Sequence, residues 1–154
     1  MRSETLEAGG RTGARRGPFA SPGFHLWHAS LRWTQEIARA LTPLSLTHTQ
    51  FFVLGAVSWL TKLRGAPPKQ REVAEFAQLD KVMTSQVARS LQAEGMLDRS
   101  DDPEDSRAWR ISVTPKGQKA FAEAVGLVRA VDAQFFGTKA AELRDELAKL
   151  HEPY

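Results

Sequence analysis

The chain contains no cysteine. That excludes disulfides, thiolate metal sites, a cysteine nucleophile and thiol-based redox sensing. It also lacks an apolar run of the ~20 residues needed to cross a bilayer, and no apolar segment follows Arg2 to make a secretory leader. A cytoplasmic protein without a membrane partner is therefore expected. Net charge is scarce as well, at +3 over 154 residues. Between Arg64 and Lys119, ten Lys and Arg stand against nine Asp and Glu. Affinity for a polyanion must then come from local placement of charge and from doubling by dimerisation.

Enzymatic signatures are missing too. There is no P-loop, GxGxxG turn, HExxH pair or nucleophile elbow, so neither an enzyme nor a bound cofactor is expected. Of the four histidines, His25 and His28 stand one helical turn apart, without a clear carboxylate or thiolate to complete a metal set. The acidic run Asp101, Asp102, Glu104 and Asp105 reads as a solvated loop rather than a cation site.

What is present is concentrated between Gln70 and Gly117. Two short helical patterns lie close together there, followed by a strand, a charged loop, a second strand and a Thr-Pro helix start. This is the layout of a helix-turn-helix with a wing. Asp80 suits the N-cap of the second helix, Lys81 to Glu94. At helical spacing Thr84, Val87, Ala88 and Leu91 share a core face. Val82, Gln86, Arg89 and Ala93 share the opposite face, flanked by Ser85 and Ser90. Ser, Gln and Arg can address base edges and phosphates; an ordinary polar surface helix is the competing reading.

The wing consists of Met96 to Arg99 and Trp109 to Val113, in which Trp109, Ile111 and Val113 alternate as in a half-buried strand. Ser100 to Ala108 between them is a loop too polar to pack, with Arg107 as its one cation. Asp105 either orients that guanidinium or closes the loop by turn chemistry. A wing arginine at this place suits a narrow minor groove.

The flanks are helical. Residues 1–22 carry Arg11, Arg15 and Arg16 among many Gly and Pro and are expected to form a disordered basic tail. The helix at 23–41 has two apolar stripes, Phe24, Trp27, Leu31, Ala38 and Leu41 on one and Leu26, Trp33 and Ile37 on the other. It needs cover on two sides, which a second copy of the chain supplies most simply. Thr47 and Gln50 have capping-box spacing at the start of a helix running to Leu63. Thr114-Pro115 opens a helix to about Phe136, Gly137 stops it, and Leu143, Leu147 and Leu150 form a stripe on a last helix.

The chain resembles the MarR family of winged-helix transcriptional regulators. The resemblance rests on LTHTQFFVL (Leu46 to Leu54), LDKVMTSQVARSLQAEGML (Leu79 to Leu97), DPEDSRA (Asp102 to Ala108) and SVTPKG (Ser112 to Gly117), in that order. It implies a mainly α fold with a small β-wing: a winged helix-turn-helix head at 46–116, between an N-terminal dimerisation helix at 23–45 and C-terminal dimerisation helices at 117–154. It further implies a homodimer that reads palindromic sites in double-stranded DNA, generally as a repressor, and that a small aromatic effector releases. The roles carried over are base and phosphate contacts by Gln70, Arg71, Lys81, Ser85, Gln86, Arg89 and Ser90, and wing contacts by Arg107 with its companion Asp105. Thr84 matches a position that is mainly core. An effector pocket would be lined by Trp27, His28, Leu31, Phe52 and Trp59, unless these side chains simply fill core.

This chain departs from the family at Val82 and Met83, where many members carry hydroxyl residues. At Gln86 it departs from a common Arg, and at Ser106 from a frequent second wing arginine. Gln favours adenine edges over guanine. The alternative function is a winged-helix protein-interaction module that does not read DNA sequence, suggested by the near-neutral head and the acidic loop.

Overall fold

Six α-helices and one two-stranded antiparallel sheet make up residues 17–151, the part of the chain that the computed structural model describes. The fold is mostly helical with a small wing, as the sequence predicts. Two compact units meet in the chain after Trp33, within the first helix.

In the first unit, Gly17–Ala20 forms a 3-10 turn and Pro22 opens helix α1 (Pro22–Leu41). The expected disordered tail is corrected here for residues 17–22; residues 1–16 lie outside the described residues. The cause is local. Ser21 Oγ accepts from the Phe24 amide at 3.3 Å, Pro22 is preorganised for a first turn, and the rings of Phe19 and Phe24 meet edge-on at 5.3 Å.

The second unit begins with the last turns of α1, where Ile37 and Leu41 are fully buried. Helix α2 (His48–Arg64) is its central beam. Thr47 and Gln50 close the predicted capping box: Thr47 Oγ1 accepts from the Gln50 amide at 3.1 Å, and Gln50 Oε1 accepts from the Thr47 amide at 2.9 Å. Val53, Leu54, Ala56, Val57 and Leu60 are buried along α2, against helices α3 (Gln70–Ala77), α4 (Lys81–Ala93) and α5 (Pro115–Phe136) and strand β2 (Trp109–Val113). Each fully buried Val or Leu contributes roughly 1.5–3 kcal/mol. That burial fixes α3, α4, α5 and β2 on one scaffold.

Strands β1 (Leu97–Asp101) and β2 pair antiparallel, Leu97 opposite Val113 and Asp101 opposite Trp109. Leu97 and Ile111 point into the core, while Trp109 remains exposed.

Between the end of α4 and the start of α5 lies a tight joint. Gly95, at φ +74°, takes the left-handed conformation that lets the Met96 amide turn back to the Leu91 carbonyl at 2.8 Å. Thr114 caps α5 through the Gly117 amide and also donates its hydroxyl to the Gly95 carbonyl at 2.7 Å. Lys116 Nζ reaches the Glu94 carbonyl at 2.7 Å. A Cβ on Gly117 would strike the Met96 carbonyl oxygen and come within 2.9 Å of Val113 Cγ1. Only glycine lets α5 approach so closely. Gly137, at φ +57°, ends α5 and leads through a 3-10 turn into α6 (Ala140–Ala148).

Candidate nucleic-acid interface

Helix α4 is held so that one row of its side chains faces outward. Asp80 Oδ1 accepts from the Met83 amide at 2.8 Å, the predicted N-cap. Thr84 is buried, its hydroxyl turned back to the Asp80 carbonyl at 2.9 Å, and Ala88 and Leu91 are sealed in the core beside it. Lys81, Val82, Gln86, Arg89 and Ala93 are exposed. Arg89 Nη2 donates to Ser85 Oγ at 3.0 Å, which lays the guanidinium along the helix surface. Ser90 is engaged differently: it accepts from Gln50 Nε2 and donates to Glu94 Oε1, both at 3.1 Å. Its hydroxyl ties α4 to α2.

The wing is anchored by a buried charge. Asp102 does not sit in solvent as the acidic run suggested; its side chain is fully covered. This corrects the expectation of a loop too polar to pack. Asp102 Oδ1 accepts from the Glu104 and Asp105 amides at 2.9 and 3.0 Å. Its other oxygen lies 2.7 Å from Arg110 Nε, an ion pair whose N–H is not aimed at the oxygen, and 3.5 Å from Lys69 Nζ. Burial pushes the carboxyl pKa up, but the Glu104 amide, Arg110 and Lys69 outweigh it and hold it below the usual aspartate value. Arg110 also donates to the Pro67 carbonyl at 2.9 Å, and the Ile111 amide to the Pro68 carbonyl at 3.0 Å. The wing base is thereby stitched to the segment before α3.

That segment is itself braced. The Lys69 amide donates to Glu72 Oε2 at 2.7 Å, and Arg64 pairs with the same carboxylate. Burial raises the Glu72 pKa, yet the Lys69 amide and Arg64 bring it below its ordinary value. Of the two readings of Asp105, turn chemistry is the one observed: Oδ1 accepts from the Arg107 amide at 3.0 Å. Arg107 stays exposed at the tip. Across the strands, the Arg99 guanidinium lies 4.4 Å from the Trp109 ring centroid, a cation–π contact. Burial and the nearby charge of Arg89 lower its pKa.

These elements enclose a concavity of 270 Å³ lined by Lys69, Gln70, Arg71, Lys81, Arg107 and Asp105 among others. Five residues expected at the interface, Gln70, Arg71, Lys81, Asp105 and Arg107, are thus brought together. Ser85, Gln86, Arg89 and Ser90 lie outside it, farther along α4. Sequence reasoning missed Lys69, Asp102 and Arg110. Asp102 lay inside the acidic run, and its cationic partners come from another element or across the hairpin, so no local spacing marks them.

The aromatics considered for an effector pocket do not fill the core of the single chain. Trp27 is 63% exposed and Trp59 52%, with Leu31 and Phe52 exposed as well. His28 packs on Phe24 at 4.3 Å, and His25 Nε2 lies 3.0 Å from the Phe19 carbonyl oxygen. Leu143 on α6 and Leu150 just beyond its end are exposed, and a groove of 690 Å³ runs between α5 and α6 past Phe136 and Leu147. No helix among the described residues is long and apolar enough to cross a membrane.

Against known proteins, the MarR family model matches residues 46–109. The HTH-type transcriptional regulator YdcH of Bacillus subtilis is 35% identical over 120 residues, covering 78% of this chain and 81% of the relative. A transcriptional repressor of Mycobacterium bovis is 26% identical over 130 residues, covering 84% of this chain and 90% of its own. The transcriptional regulator MOSR of Mycobacterium tuberculosis, solved in complex with DNA, is similar at a TM-score of 0.69 and 25% identity, over 84% of this chain and 92% of that one.

Proposed function

This chain belongs to the MarR family of transcriptional regulators, and from that premise we propose that it is a homodimeric repressor of inverted-repeat operators. In each copy α4 enters a major groove and the wing carries Arg107 to the neighbouring minor groove. The observation that carries this reading is the concavity where Lys69, Gln70, Arg71, Lys81 and Arg107 converge beside α4. It gathers four cations and one amide against a single carboxylate, Asp105, in a head whose overall charge is nearly balanced. That suits a backbone phosphate.

Dimerisation is supported by the exposed Leu143 of α6, by Leu150 beyond it, and by the exposed Leu26, Trp27 and Leu31 of α1. In a two-fold dimer the two α4 helices would sit about 34 Å apart, one duplex turn. Repression is supported by the name of the Mycobacterium bovis relative. In the second unit, the exposed Phe52 and Trp59 of α2 are the side chains open to a small aromatic effector. Such a ligand releases DNA by favouring a dimer with the wrong head spacing. The interaction-module alternative is weakened at one point, because Asp102 is compensated inside the fold by Arg110 and Lys69, while Asp101, Glu104 and Asp105 stay exposed.

Selection from a random duplex pool at fixed salt, with stoichiometry recorded, tests the proposal. An enriched inverted repeat bound by two chains is the expected result. A pool that returns no motif, or a single chain bound to an asymmetric site, overturns it.

A further inference from the structure

We propose that Val82 reads the methyl group of a thymine in the major groove, next to the base that Gln86 addresses. The inference rests on the DNA-reading function above and extends it to base preference.

Val82 is 68% exposed on the first turn of α4. A β-branched residue there gains nothing from helix propensity, and its isopropyl group is left in water. One other large apolar side chain is exposed beside it, Met83 at 42%, and as the next residue in sequence it points to a different side of the helix. At helical spacing its neighbours are Ser85, Gln86 and Arg89, and the row carries no acid before Glu94. The nearest carboxylate at the helix start, Asp80, is engaged by the Met83 amide at 2.8 Å. The isopropyl group is thus an apolar spot set in a row of hydrogen-bond donors and one cation.

A duplex presents a matching surface. In the major groove the base pairs offer donors and acceptors at every position and one apolar feature, the thymine C5 methyl. Gln86 follows Val82 by one turn, about 6 Å along the helix axis. At about 3.4 Å per base-pair step, the two side chains address pairs one or two steps apart. Gln makes its bidentate contact with adenine N6 and N7. The pair Val82–Gln86 therefore selects a half-site with a thymine one or two steps from an adenine.

Replacing thymine by uracil in the enriched operator removes that methyl and leaves the base-pairing and hydrogen-bonding edges as they were. Each thymine is replaced in turn, symmetrically in both half-sites. Binding is then measured for the full-length wild type, Val82→Ala and the near-isosteric Val82→Thr. At one thymine per half-site, uracil is expected to weaken wild-type binding about four-fold per methyl, the factor for one buried methyl group. Val82→Ala is expected to bind the thymine and uracil operators alike. Wild-type binding that tolerates uracil at every thymine overturns the inference, as does a uracil effect of equal size in Val82→Ala; both leave the operator-binding function standing. A random pool that yields no enriched sequence at all overturns the regulator reading and this inference with it.

Discussion

The wing base and the outer row of α4 both hold charge, and they hold it in opposite ways. Around Asp102, two cations and two backbone amides converge on one covered carboxylate. That charge is satisfied within the fold. Along α4, Lys81, Gln86 and Arg89 stay exposed, and only Arg89 has an internal partner, the Ser85 hydroxyl. The first region can set where Arg107 points, and the second is left to meet something else. Damage to the wing base should therefore register in stability as well as binding. Damage to the row should register in binding alone.

Asp102→Ala sharpens that contrast most. It leaves Arg110 and Lys69 facing each other without a counter-charge, and the melting temperature is expected to fall by roughly 5 °C or more. Operator affinity should fall with it, and an unchanged thermal scan would remove Asp102 from the anchoring role. Next come the exposed cations. Arg89→Ala should weaken operator binding roughly ten-fold or more without moving the melting temperature, with the loss concentrated at one base position. Arg107→Ala should weaken binding to all sequences and reduce the salt slope by about one. A melting temperature lowered by either would erase the distinction between the two regions.

Acid probes the same difference more gently. The Asp102 pKa is held below its ordinary value in the folded chain, so its stabilising contribution is complete above about pH 4. That contribution is lost as pH falls through the folded value. Wing amides such as those of Glu104 and Asp105 should lose hydrogen-exchange protection in that range, and Asp102→Asn should abolish this dependence. The smallest effect belongs to Ser90→Ala. Gln50 Nε2 still reaches Glu94 Oε1 at 3.0 Å, so stability should change by about 1 kcal/mol or less. Operator affinity should stay within a factor of two or so by the same argument; a ten-fold loss would move Ser90 into the reading row.

What could be read from the sequence was local. Thr47 with Gln50, Asp80 before α4, and Thr114-Pro115 before α5 each announce a helix start within four residues, and each makes the expected bond. Ser21-Pro22 carries the same signal, but the surrounding Gly and Pro suggested a tail instead. The Asp102 cluster was illegible for a different reason. Its members come from the segment before α3, the loop and β2, and an acidic stretch looks solvated until its partners are known. DNA-contact roles for Gln70, Arg71, Lys81 and Arg107 were implied by family resemblance; that they line one concavity, and that Lys69 joins both it and the Asp102 ion pair, shows only in the folded chain.

The joint around Gly117 has a mechanical consequence. Thr114 and Lys116 grip the turn at Glu94 and Gly95, and the missing Cβ lets the Met96 backbone rest against α5. A joint fastened at three points resists bending. Helix α4, the wing and the start of α5 therefore move as one lever arm. In a pair of such chains, the distance between the two α4 helices is hard to retune by bending at this joint. It changes more readily when whole arms pivot about whatever holds the two chains together, and a small tilt there is magnified along the length of α5.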